Sequence, residues 1–168
     1  LNRLDIGSYE LPVPLAFQRA TSFAYHAVFT PPNPPVFIPF EINLPLSGNP
    51  GIECRNSDNG PAVGGVPGRH NIFFYFPNHV ASTTNATVSC GTVTFRGSNG
   101  NPISVEFDGA GCNQQYVTVT LLGIQDDYGQ TLASASVVVG LLLGDTTGNG
   151  TVNASDVSQT KSRSGQSV

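Results

Sequence analysis

From Gly144 to Val157 the chain reads Gly-Asp-Thr-Thr-Gly-Asn-Gly-Thr-Val-Asn-Ala-Ser-Asp-Val. With Asp145 as position 1, oxygen-bearing side chains fall at 1 (Asp145), 3 (Thr147), 5 (Asn149), 9 (Asn153) and 12 (Asp156). Gly150 at position 6 stands where such a loop turns sharply, and Thr151 at 7 offers a backbone carbonyl. Val152 at 8 is the apolar residue expected to pin the loop to a core. This is calcium chemistry: a hard cation takes six to eight oxygens in flexible geometry. Asp156 is expected to be bidentate and Asn153 to contribute directly or through water. With two charged ligands the expected affinity is weak, Kd ~10⁻⁴–10⁻³ M. A polar tail that binds nothing has the same composition, but agreement at positions 1, 5, 6, 8, 9 and 12 together favours the metal.

Other reactive residues are dispersed. Cys54, Cys90 and Cys112 are odd in number, with no Cys-x-x-Cys spacing. Cys90 and Cys112 flank an apparent hairpin, so a disulfide between them is expected, with Cys54 left over. The alternative is two reduced cysteines acting as small buried hydrophobes. His26, His70 and His79 lie on or beside apolar stretches with no Ser or Cys partner in evident register. Glu53, Asp58, Glu106 and Asp108 are scattered, and Asp126-Asp127 sits in a turn before a glycine. Tyr25, Phe74 and Tyr75 offer a sugar-binding face or core packing; their period-two placement favours the core. No enzyme is expected.

Composition narrows the field further. Charged residues are 11% of the 168, the net charge is −4, and Lys161 is the sole lysine. A long amphipathic helix needs more Glu, Lys and Arg than this. The cations Arg3, Arg19, Arg55, Arg69, Arg96, Lys161 and Arg163 are scattered, which excludes a clustered nucleic-acid-binding face. The apolar run Val137–Leu143 is far too short to span a membrane as a helix, so no membrane insertion is expected. The Asn-, Ser-, Thr- and Gly-rich surface points to an extracellular or cell-surface location. A chain that opens on Leu1 rather than Met reads as a piece of a longer protein.

The elements that must hold the loop have a period of two. Phe23–Phe29, Phe37–Leu44, Thr87–Phe95, Ile103–Phe107, Tyr116–Leu121 and Ala133–Leu143 read as strands, separated by Gly-, Asn- and Pro-rich turns. The continuous run Ile72–Phe76 reads as a strand buried on both faces. The expected fold is all-β, an antiparallel β-sandwich. Five prolines in residues 30–39 argue for a crossover there rather than a central strand. After Gly144 the alternation ends, and a short helix is expected from about Ser155 through Arg163.

Residues 145–165 resemble one of the two duplicated calcium-binding segments of a type I dockerin, with Thr147 where that segment carries Asn or Asp. The resemblance covers about 21 residues. It implies an EF-hand-like loop–helix and a cohesin-like protein partner met through Ala154, Ser155, Lys161 and Ser162. One segment of the two should bind such a partner poorly. Phe40–Gly48, Gly51–Arg55 and Val117–Ile124 resemble a bacterial immunoglobulin-like domain, which implies an immunoglobulin-like sandwich without catalytic residues. The expected organisation is an N-terminal strand and Pro-rich segment (1–39), a sandwich (40–143) and a half repeat (144–168). The implied role is a non-catalytic structural or protein-attachment module. Two alternatives are a self-assembling filament or surface-layer subunit that lends an N-terminal strand to its neighbour, and a carbohydrate-binding module for polysaccharide.

Overall fold

The computed structural model describes residues 12–28, 34, 36–56 and 65–163. Its strands are β1 (Arg19–Val28), β2 (Val36–Leu44), β3 (Gly51–Glu53), β4 (Arg69–Tyr75), β5 (Val80–Ser82), β6 (Asn85–Val88), β7 (Thr92–Arg96), β8 (Ile103–Asp108), β9 (Gln115–Asp126) and β10 (Thr131–Leu141), followed by the helix α1 (Ala154–Arg163). They form two sheets, one in the order β2-β1-β4-β8-β7 and one in the order β3-β10-β9-β5, with β6 also paired to β9. Every pairing of these strands is antiparallel except that of β3 with β10. An all-β sandwich is what the alternation calls for. Residues 12–28 belong to it, because β1 lies inside the first sheet between β2 and β4.

Alternation also sets the core. Ile72 and Phe74 on β4 and Ile103, Val105 and Phe107 on β8 are fully buried, as are Val117, Val119 and Leu121 on β9 and Val139 on β10. Successive side chains of a strand point to opposite faces, so one set from each strand meets between the layers. Phe17, ahead of β1, stacks on Phe74 with ring centroids 5.3 Å apart.

Three strand expectations are corrected. Thr87–Phe95 is two strands: β6 pairs with β9 in the second sheet and β7 with β8 in the first. The break falls at Gly91, whose φ of +88° suits glycine and whose missing Cβ would lie 2.1 Å from the Asp108 carbonyl oxygen. The run Ile72–Phe76 is buried on one face, with Phe73 and Tyr75 half-covered on the other. On β1 the small residues Ala20, Ser22 and Ala24 are buried, while Phe23 and Tyr25 stand on the outer face. There Phe23 stacks on Phe73 at 4.5 Å, and the Arg19 guanidinium covers the Tyr75 ring at 3.9 Å. Of Tyr25, Phe74 and Tyr75, Phe74 alone lies fully in the core.

Cys90 and Cys112 form a disulfide, with Cα atoms 6.0 Å apart, and Cys54 is free. The bridge joins two of the places where the chain changes sheets, between β6 and β7 and between β8 and β9. No helix among the described residues is long and apolar enough to cross a membrane. A disulfide is compatible with an extracellular location.

Candidate metal centre in the C-terminal loop

The loop leaves the sandwich through backbone bonds. Leu142 N–H donates to the Glu53 carbonyl (3.1 Å) and Gly144 N–H to the Cys54 carbonyl (3.2 Å), while the Asn113 side chain accepts from Leu143 N–H (3.1 Å). Asp145 then starts the loop on a fixed base.

Asp145 and Asp156 are both buried. Asp145 Oδ2 accepts from Gly150 N–H at 2.7 Å and Oδ1 from Asn149 N–H at 3.2 Å. Gly150 can turn its amide inward because its φ is +82°, a conformation that costs a side-chain-bearing residue energy. Asp156 Oδ1 accepts from Thr147 N–H at 3.0 Å and Oδ2 from Asn153 N–H at 2.8 Å. These backbone donors, Asn153 foremost and then Thr147, hold the Asp156 carboxyl down to about 2.

The Asn153–Asp156 pair also starts the helix. The Asn153 amide oxygen accepts from Ser155 N–H at 2.8 Å while Asp156 bonds back to Asn153 N–H, a reciprocal cap that fixes α1 at Ala154.

Between the two acids stands the Thr147 hydroxyl, 3.1 Å from Asp145 Oδ1 and 2.9 Å from Asp156 Oδ1. One hydroxyl carries one proton and can donate to one ionised carboxylate at a time. The other contact sets lone pair against lone pair between two acids, and among the described residues no Arg, Lys or His pairs with either. That arrangement fits a divalent cation held by Asp145, Thr147 and Asp156.

The remaining expected ligands stand differently. The Asn149 amide oxygen accepts from Thr151 N–H at 2.9 Å and the Asn153 oxygen from Ser155, so both amide oxygens serve local turns of the loop. Thr151 is exposed. Val152 does not pin the loop into the core. It is exposed at the rim of a cavity of about 360 Å³ that it lines with Ile52, Tyr116 and Leu141. No group of three or more His, Cys, Asp or Glu side chains gathers among the described residues; the loop supplies two carboxylates with neutral oxygens.

Ala154, Ser155, Lys161 and Ser162 are all exposed on α1. Ala154 to Lys161 and Ser155 to Ser162 are steps of seven, so each pair aligns along the helix and the two rows stand about 100° apart. Val157 is exposed on the same helix.

Two groups escaped the sequence reading. Glu53, which looked like one of several dispersed acids, is buried against Arg55 and the Ser22 hydroxyl. Next to it, burial and then the Glu53 charge push the Cys54 thiol up from its ordinary value. Of the histidines, His79 pairs with Asp127 at 3.0 Å and His70 is buried with its ring 5.4 Å from Phe107. Asp126 caps its turn, accepting from Gln130 N–H at 2.8 Å.

No protein family matches the chain, and neither does any curated protein or solved structure.

Proposed function

We propose that the chain is a non-catalytic extracellular structural or protein-attachment module whose C-terminal loop takes up calcium. The observation that carries this reading is the meeting of Asp145 and Asp156 at Thr147 Oγ1 with no cationic side chain paired to either among the described residues. Calcium there would be held by Asp145, Thr147 and Asp156, with Asn149, Asn153 and the Thr151 carbonyl within the same loop. It would supply the positive charge that lets two buried carboxylates stay close, and so hold the loop and the capped start of α1 together. Ala154, Ser155, Lys161 and Ser162 would then present a face to a cohesin-like protein. The exposed Val157 supports a helix that awaits an apolar neighbour.

A polysaccharide-binding role has less support. The aromatic row on the outer face of the first sheet spends its ring faces internally, Phe23 on Phe73 and Tyr75 under Arg19. Calorimetry with calcium chloride tests the metal reading. The expected result is saturable binding with Kd ~10⁻⁴–10⁻³ M, lost in Asp145→Ala while the sandwich stays folded. Equal heats from both proteins, or none from either, would overturn it.

A further inference from the structure

We infer that the cavity between the second sheet and the C-terminal loop is a binding site for a neutral sugar of one or two rings. This goes beyond the calcium reading, and it concerns a face other than the self-stacked aromatic row of the first sheet.

The strand register builds the floor. Gly140 on β10 pairs with Ile52 on β3 and with Tyr116 on β9, so the three stand side by side. Val117 and Val139, one residue away, are fully buried, which puts Ile52, Gly140 and Tyr116 on the outer face of the second sheet. Glycine weakens a strand interior and often marks a place where another group approaches the backbone closely. A Cβ at Gly140 would fall 2.6 Å from Ile52 Cδ1 and 3.1 Å from Tyr116 Cε1, so both side chains lean over the glycine. Thr151 and Val152 of the C-terminal loop close the far side. The enclosed space is about 360 Å³, within the range of small-ligand sites.

The rim is strained. Gln114 has a φ of +64°, and among the described residues it alone combines positive φ with a side chain. Its N–H is held by the Leu141 carbonyl at 2.7 Å and by Asn113 Oδ1 at 3.0 Å. Glycine or asparagine would take this conformation at lower cost. A glutamine stands there instead, exposed and lining the cavity beside Gln115. Backbone strain of this kind clusters where ligands are gripped.

The lining selects the ligand. It contains no Asp, Glu, Lys, Arg or His, so a charged ligand would lose water without meeting a counter-ion. The two carboxamides each offer donors and an acceptor. The Thr151 hydroxyl donates to Asn149 Oδ1 at 2.8 Å and keeps its lone pairs for a further donor. Ile52 and Val152 add apolar surface. The Tyr116 ring is 64% exposed, and among the described residues no ring or guanidinium stacks on it. A sugar ring matches this combination, with C–H groups on one face for the tyrosine and hydroxyls on its rim that both donate and accept for the amides. A wholly apolar ligand would leave the amides unmatched. An extended peptide would find no open edge on β10, which is paired on both sides.

Amide-resolved NMR titration of the full chain tests this, with methyl β-glucoside, methyl β-xyloside, methyl N-acetyl-β-glucosaminide and cellobiose as probes, in calcium and in EDTA. At least one probe is expected to saturate with Kd ~10⁻⁴–10⁻³ M, shifting Ile52, Gln115, Tyr116 and Thr151. Tyr116→Ala should weaken that binding about tenfold. Tyr128→Ala, which removes a tyrosine 65% exposed in the turn after β9, should leave it unchanged. Gln114→Gly should also weaken it while the thermal midpoint holds or rises, because glycine relieves the strain. No response to any probe in either buffer overturns the inference, as does full binding by Tyr116→Ala or shifts confined to Phe23, Tyr25 and Tyr75. Binding of acetyl-tetraalanine amide in place of the sugars would assign the cavity to a protein segment and reject the sugar. Calcium uptake without sugar binding would leave the calcium reading standing alone; equal sugar binding in both buffers without calcium uptake would do the reverse.

Discussion

Arg55 grips both carboxylate oxygens of Glu53: its Nε lies 2.8 Å from Oε1 and its Nη2 2.6 Å from Oε2, while the Arg55 backbone N–H adds a bond of 2.8 Å to Oε1. The Ser22 hydroxyl donates to Oε2, and Arg55 Nη2 reaches the Ser22 carbonyl at 3.1 Å. Glu53 ends the edge strand of one sheet and Ser22 lies within the other, so the cluster ties the two layers together.

Removing Arg55 would leave a carboxylate buried without its counter-ion. Loss of one partner of a buried pair costs ~3–5 kcal/mol. Arg55→Ala is therefore expected to shift the urea midpoint down by that order, with an unchanged denaturant slope. Glu53→Gln, which removes the charge and keeps an acceptor, is expected to cost less.

The same pair makes stability depend on pH. Burial pushes the Glu53 carboxyl up, but the Arg55 bonds and charge, with Ser22, outweigh it and leave the group below its ordinary value. A carboxyl lowered in the folded state contributes stability that is fully present above its unfolded value, ~4.3. That contribution is lost as pH falls through the lower folded value. Denaturation curves of wild type and Glu53→Gln should accordingly converge as the pH is taken below about 4. A gap that stays constant into that range would show that the Glu53 charge contributes nothing.

How far the fold could be read depended on whether a signal was local. The capped helix is local: Asn153, Ser155 and Asp156 carry both the cap and the last loop ligand, and α1 begins one residue from the expected position. The Cys90–Cys112 bridge was legible because a hairpin brings its two ends together. The split of Thr87–Phe95 was not, since the residue that forces it, Gly91, does so through Asp108, a neighbour distant in sequence. The inward turn of Ser22 is met by Glu53 and Arg55, which pack there from another strand and its following turn. Three-residue β3 has too little periodicity to register at all.

Gly91→Ala is expected to lose on the order of 2–4 kcal/mol, because the new methyl group meets the Asp108 carbonyl and the backbone stays at positive φ. Gly129 is also at positive φ, +79°, but with nothing within 4 Å of its Cβ position, so Gly129→Ala is the control and should cost only the conformational part. Thermal unfolding of both variants measures the difference, and equal losses would show that contact with Asp108 does not matter.

Reduction of Cys90–Cys112 should act on the unfolded chain. The bridge spans 22 residues, and a loop of that size contributes about 3 kcal/mol in the chain-entropy account. The double variant Cys90→Ala/Cys112→Ala is expected to fold with a midpoint lowered by that order. Because the bridge ties the β6–β7 and β8–β9 connections, amide exchange should rise most around Ser89–Gly91 and Gly109–Asn113. Uniform acceleration over the whole sandwich would instead indicate an effect on global stability alone.

Calcium should be readable at the end of α1. Lys161 and Arg163 are exposed in its last turns and are sites for trypsin, while the helix is held to the rest of the chain chiefly through the Asp156–Thr147 and Thr146–Asp156 bonds. A ligand that binds only the ordered loop stabilises it by RT ln(1 + [L]/Kd). At 10 mM calcium and a Kd of ~10⁻³ M this is about 1.4 kcal/mol, a tenfold fall in the open population. Cleavage after Lys161 is therefore expected to slow about tenfold between EDTA and 10 mM calcium. In Asp145→Ala the calcium effect should vanish, and cleavage should proceed at the EDTA rate or faster. Protection that survives the substitution, or that appears equally with magnesium, would assign it to something other than the Asp145–Asp156 site.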